Sequence, residues 1–125
     1  MLLNKELKLK NITLRNRIVM PPMAREGSAD GKVTENLVEY YRLRAECTGL
    51  IIIEHAYVSI EGKSTPKQLS MADDSVIESY RNLTDAIHKE IGVESSQVGE
   101  YQGDAVYQVM YCHLCLVMTL NIYQV

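Results

Sequence analysis

Long apolar runs are missing from this chain. The longest apolar-leaning stretch, Tyr111 to Leu120, is interrupted by His113 and Thr119 and is too short to span a bilayer. The opening Met1-Leu2-Leu3-Asn4-Lys5 lacks the extended apolar segment of a secretory signal. Cysteine is also scarce. Three in 125 residues is an odd number that does not suggest a disulfide framework. Positive charge is in deficit, with 13 Lys and Arg against 16 Asp and Glu, a formal net charge of −3 and a pI near 5.6. No basic stripe interleaved with aromatics compensates for it, which argues against nucleic acid as the main partner. These absences leave a soluble cytoplasmic protein without a membrane partner as the expectation.

One absence is local. All 13 Lys and Arg lie at or before Lys89. The residues that follow hold half of the eight tyrosines (Tyr101, Tyr107, Tyr111 and Tyr123), together with Cys112 and Cys115. Gly92-Val93 offers a start for a strand, but Glu94-Ser95-Ser96-Gln97 breaks it at once. The change of character divides the chain into residues 1–90 and an aberrant or poorly ordered tail, 91–125. A shifted reading frame or a gene-prediction error would produce such a tail.

What is present before that boundary is a regular alternation. Residues 1–15 read as a hairpin, with Leu7, Leu9, Ile12 and Leu14 apolar and Asn11 near the turn. Ile18 and Val19 suit a buried strand, over Arg17 to Met20. Pro21 and Pro22 then end it, because proline has no backbone donor for a ladder. Residues 24–33 carry turn formers and read as a loop. Thr34 is an N-cap for a helix running to about Cys47, with Leu37, Val38, Tyr41 and Ala45 on its buried stripe. Gly49 opens a second strand, Leu50 to Ile53, apolar on both faces as in a doubly covered parallel sheet. After a loop over 59–72, Asp73 caps a second helix, with Ser75 and Glu78 as an alternative capping box. Val76, Tyr80, Leu83 and Ile87 mark its buried face at i, i+4, i+7 and i+11. Strand, helix, strand, helix implies right-handed βαβ packing and a parallel sheet. In such folds ligands sit at the carboxyl ends of the strands. Here those ends are Met20-Pro21-Pro22-Met23 and Glu54-His55.

Several of these blocks, in this order, resemble the start of the old yellow enzyme family of FMN-dependent NAD(P)H oxidoreductases. They are Leu7 to Arg17, Asn16 to Met23, Glu39 to Ala45, Gly49 to His55, Val58 to Lys63 and Leu83 to His88. The likeness runs from about Leu3 to Glu90. It implies an α/β fold, namely the N-terminal hairpin and about two βα units of a TIM barrel, followed by a non-family tail. A whole barrel of this kind needs roughly 250 residues.

The resemblance also implies a chemistry: hydride passes from NAD(P)H to FMN and on to an enone-like activated alkene. The backbone of Pro22, Met23 and Ala24 would lie against the flavin ring, and His55 would present its backbone beside it. Ala24 stands where the family often has threonine or cysteine, so it offers no hydroxyl or thiol to the ring. His55 stands where a small residue is usual. The family's substrate-holding His/Asn pair and its phosphate-gripping loops come from later strands, and this chain shows neither. Tight FMN retention and activity are therefore not expected of these residues alone, and none is assigned as catalytic.

Other readings stay open. An unpaired sheet edge would allow self-association or pairing with a complementing barrel fragment. Cys112 and Cys115, two residues apart, would suit a small metal-binding protein, although zinc needs four ligands. Glu54 ends a buried strand and needs a partner, for which Arg17 or another barrel-end cation is the expectation. Arg25 and Glu26 read as a solvated charged loop, and Cys47 as a small buried hydrophobe.

Overall fold

The computed structural model describes residues 1–9, 13–91, 109–112 and 115–118. A short antiparallel pair comes first. Leu7–Lys8 (β1) lies against Thr13–Leu14 (β2), with Leu7 opposite Leu14. The next two residues fasten this hairpin to the body of the fold. Arg15 donates from Nη2 to the Ala45 carbonyl and from Nε to the Thr48 carbonyl (3.1 Å). Asn16 donates to the Cys47 carbonyl at 3.0 Å. Both side chains therefore satisfy carbonyls at or just beyond a helix end, where the backbone has no further turn to bond.

The central unit is a parallel βαβ. Val19–Met20 (β3) pairs with Leu50–Ile51 (β4), Val19 facing Leu50 and Met20 facing Ile51. The ladder extends at both ends: the Gly49 N–H donates to the Ile18 carbonyl (2.9 Å), and the Ile52 N–H to the Met20 carbonyl (3.0 Å). Between the strands runs Glu35–Ala45 (α1). Thr34 is its N-cap, and its hydroxyl accepts the Leu37 N–H. Glu35 in the first turn and Arg42 and Arg44 in the last complement the helix dipole. The helix ends two residues before the expected Cys47, whose side chain is exposed. Cys47 is thus not the buried hydrophobe its type suggests. It lies past the last turn of the helix.

After β4, Ala56–Tyr57 (β5) pairs in parallel with Leu69–Ser70 (β6), so part of the expected 59–72 loop is a strand. Asp73 caps a short 3-10 turn, Asp74–Val76, by accepting the Ser75 N–H at 2.8 Å. That turn leads into Ile77–Ile91 (α2). Leu37, Tyr41 and Ala45 of α1 meet Val76, Tyr80, Leu83 and Ile87 of the α2 region in one core, closed from the sheet side by Met20, Ile51 and Ile53. Val38, also on the expected stripe, packs against this core half-buried. Arg42 ties the helices at their surface, bonding Glu39 at 2.7 Å on its own helix and Glu90 at 2.5 Å on α2.

The doubly covered β4 expected from its composition is covered on one face. Ile51 and Ile53 are buried against the helices, while Leu50 and Ile52 are half-exposed. Farther along, Val109–Cys112 (β7) and Cys115–Met118 (β8) form an antiparallel hairpin in which Cys112 is opposite Cys115. The strand start considered at Gly92-Val93 lies outside the described residues. Among the described residues, no helix is long and apolar enough to cross a membrane.

Candidate site at the strand ends

Parallel pairing of β3 and β4 brings their carboxyl ends to the same side of the sheet. Because Ile52 bonds Met20 directly, the segment Pro21–Ala24 leaves the sheet beside the segment Ile53–His55. Pro22 and His55 are half-buried, Ala24 is exposed, and Met23 is 56% exposed. Pro21 and Pro22 contribute no N–H, so the ladder stops there and the chain turns outward. The result is an accessible backbone edge with a small side chain, Ala24, at its open end. Pro22, Met23 and Ala24 thus follow β3, and His55 follows β4, at the same end of the parallel pair.

Glu54 fastens the two strand ends together. Its side chain is buried, at 3% exposure, and it lies three residues beyond β4, next to His55. Its Oε2 accepts the Arg25 N–H at 2.9 Å and the Glu26 N–H at 3.1 Å, both on the loop immediately after Ala24. Tyr41, fully buried on α1, accepts the Glu54 N–H at 3.0 Å and donates its hydroxyl to Oε1 at 3.4 Å. The expected pairing with Arg17 is therefore corrected. Two main-chain N–H groups and a phenol satisfy the carboxylate without the cost of also burying a guanidinium. The charged side chain of Arg25 turns instead to the Tyr40 ring, 4.9 Å from its centroid. Arg44 lies 3.5 Å from the same centroid.

Arg25 and Glu26 are exposed, as expected of a solvated charged loop, and the loop is also fixed in place. Glu26 takes a left-handed φ of 53°, as does Asp30 at 51°. Ser28 is buried and donates its hydroxyl toward the Lys67 and Gln68 carbonyls (2.9 and 3.0 Å). The Ser70 N–H bonds the Gly31 carbonyl at 2.8 Å. Behind Glu54, burial pushes the phenols of Tyr41 and Tyr80 well above their ordinary range, and the charge of Glu54 adds to the rise at both. The Tyr80 hydroxyl is buried and has no hydrogen-bond partner among the described residues.

Sequence reasoning found the edge but missed the fastening. Its one signal was Glu54 itself, a carboxylate inside an apolar run. Among the described residues, no group of three or more His, Cys, Asp or Glu could hold a metal ion. The side chains of Cys112 and Cys115 lie outside what is described.

Comparison with known proteins places this arrangement in context. The model of the NADH:flavin oxidoreductase / NADH oxidase family matches residues 3–104. The chain is 41% identical over 86 residues to an NADH oxidase of Thermoanaerobacter brockii, a stretch that covers 66% of the chain and 13% of that protein. It is 36% identical over 107 residues to an NADPH dehydrogenase of Bacillus subtilis strain 168, covering 78% of the chain and 32% of the relative. The chain thus spans no more than about a third of the length of either relative. Among solved structures, the old yellow enzyme homologue of Zymomonas mobilis superposes with a TM-score of 0.65 at 34% identity, covering 70% of this chain and 25% of that one. The hairpin, βαβ unit and second helix described above are therefore the N-terminal portion of a TIM barrel of the old yellow enzyme type.

Proposed function

Because the chain belongs to the NADH:flavin oxidoreductase / NADH oxidase family, we propose that its exposed strand-end edge is one wall of an FMN site. FMN bound there would supply hydride transfer, from NAD(P)H to an activated alkene. The two relatives are named for NADH and NADPH respectively, so the choice of nicotinamide is left open. The residues' own part is positional. The peptide groups of Met23 and Ala24 offer a donor and an acceptor beside the ring's polar edge, and the His55 backbone offers a second contact from β4. Ala24 leaves room for the ring and adds no polar group to it. The phosphate and the substrate would be gripped by parts of the barrel beyond residues 1–91.

The observation that carries this reading is the adjacency of the two strand ends, fixed by the Ile52–Met20 bond and by Glu54 reaching the loop after Ala24. Flavin fluorescence during titration with the protein tests it. The expected result is a weak saturable change that disappears in Ala24→Arg, whose side chain would fill the ring position. Ala24 is exposed, so the variant keeps its fold. No change with the wild type, or an equal change with the variant, would overturn the reading.

A second reading is favoured by Val19, 45% exposed on β3, and by half-exposed Leu50 and Ile52. We propose that this apolar side of the sheet pairs with another copy or with the rest of a barrel. Concentration-dependent light scattering supports it, and a monomer at all concentrations counts against it.

A further inference from the structure

We propose that Glu54 is a positioning residue for the flavin-facing peptide, acting through the loop backbone rather than by touching the ring. This rests on the FMN reading given above. Glu54 stands between the two halves of the edge. Its own N–H and one carboxylate oxygen are locked by Tyr41, so the side chain has little freedom to move. The other oxygen takes two consecutive main-chain donors, Arg25 and Glu26. These are the first two N–H groups after Ala24, so their placement sets the direction in which the Met23 and Ala24 peptides point.

Two features show that the loop would not hold this course unaided. Glu26 occupies a left-handed conformation that a non-glycine residue adopts only when its surroundings enforce it. The two N–H groups would also find no partner in the sheet, because Pro21 and Pro22 have already ended the ladder. A carboxylate is suited to the task, since it accepts more than one charge-assisted bond with no donor of its own to place. Tyr41 extends the clamp to α1, so the helix, the end of β4 and the loop after β3 form one chain of hydrogen bonds.

The test compares the wild type with Glu54→Gln and Tyr41→Phe. Ile87→Val serves as a control that loosens the core without removing a hydrogen bond of the clamp. Glutamine keeps the size of Glu54 but replaces one oxygen with a donor, which either faces the loop N–H groups or leaves the Tyr41 hydroxyl without an acceptor. Two readouts are taken on folded samples: hydrogen exchange at the Arg25 and Glu26 amides, and FMN-induced shifts of the Met23 and Ala24 amide signals. In Glu54→Gln, exchange at both amides should quicken by about tenfold, and the FMN-induced occupancy at fixed FMN should drop to about a tenth. Tyr41→Phe should shift both in the same direction by less, and Ile87→Val should move neither.

Unchanged exchange, or an equal response from Ile87→Val, overturns the positioning role. So does unchanged FMN response in Glu54→Gln when the wild type responds. If the wild type itself shows no FMN response, the flavin reading fails and takes the proposal with it. That failure is separate, because it is read on the wild type alone.

Discussion

Glu26 carries a left-handed φ of 53° without being glycine, and such a conformation costs about 1 kcal/mol or more. The carboxylate of Glu54 offsets that cost by accepting the Glu26 N–H. Glu26→Gly removes the strain and keeps the bond. It is expected to leave stability unchanged or raise it by up to about 1 kcal/mol in urea unfolding, although glycine usually destabilises. A loss larger than that would mean that the Glu26 side chain, and not its backbone, matters to the loop. Tyr41 and Tyr80 give a second test at this scale. Burial raises both phenols above the ordinary 10.0, so the fold favours their neutral forms. Their contribution is complete below pH 10 and is lost as pH climbs toward their higher folded values. Phenolate absorbance should therefore show Tyr41 and Tyr80 resisting ionisation until alkaline unfolding. If both titrate with the fold intact, the enclosure around Glu54 is loose.

Gly49 shows how an element is placed by what cannot fit. A Cβ at this position would lie 2.4 Å from the Asn16 carbonyl oxygen and 2.8 Å from its Oδ1. Asn16 cannot retreat, because its Oδ1 takes the Ile18 N–H (2.9 Å) and its amide holds the Cys47 carbonyl (3.0 Å). Gly49→Ala should thus push β4 away from β3 and cost about 1–3 kcal/mol in thermal or urea unfolding. A neutral result would show that the β3–β4 register has slack.

The helices were the most legible elements. Their apolar residues recur at helical spacing, and Thr34 and Asp73 offer capping oxygens where the periodic stretches begin. Tyr41, Leu83 and Ile87 are accordingly buried where the pattern put them. The β5–β6 pair escaped notice because two-residue strands have no period to detect. Glu54 was recognisable as a buried acid in need of partners. Two of its partners are backbone groups 28 and 29 residues away, and backbone donors leave no trace in residue type. Arg17 was a plausible cation by sequence neighbourhood alone.

At the scale of the whole molecule, the described residues make a helix-covered sheet whose other side is open. Ile51 and Ile53 face the helices, whereas Val19 is 45% exposed and Leu50 and Ile52 are partly so. In a closed barrel that side would face the barrel interior. The edge proposed for FMN lies at the rim of that sheet. In that reading the strand ends of β3 and β4 would direct the flavin ring from one side of the site. Mapping backbone amide shifts of the labelled protein during FMN addition tests the central claim most directly. The account predicts that Met23, Ala24 and His55 move together, saturably, while the amides of α2 stay in place. Shifts centred elsewhere, or none at any FMN concentration reached, would contradict it.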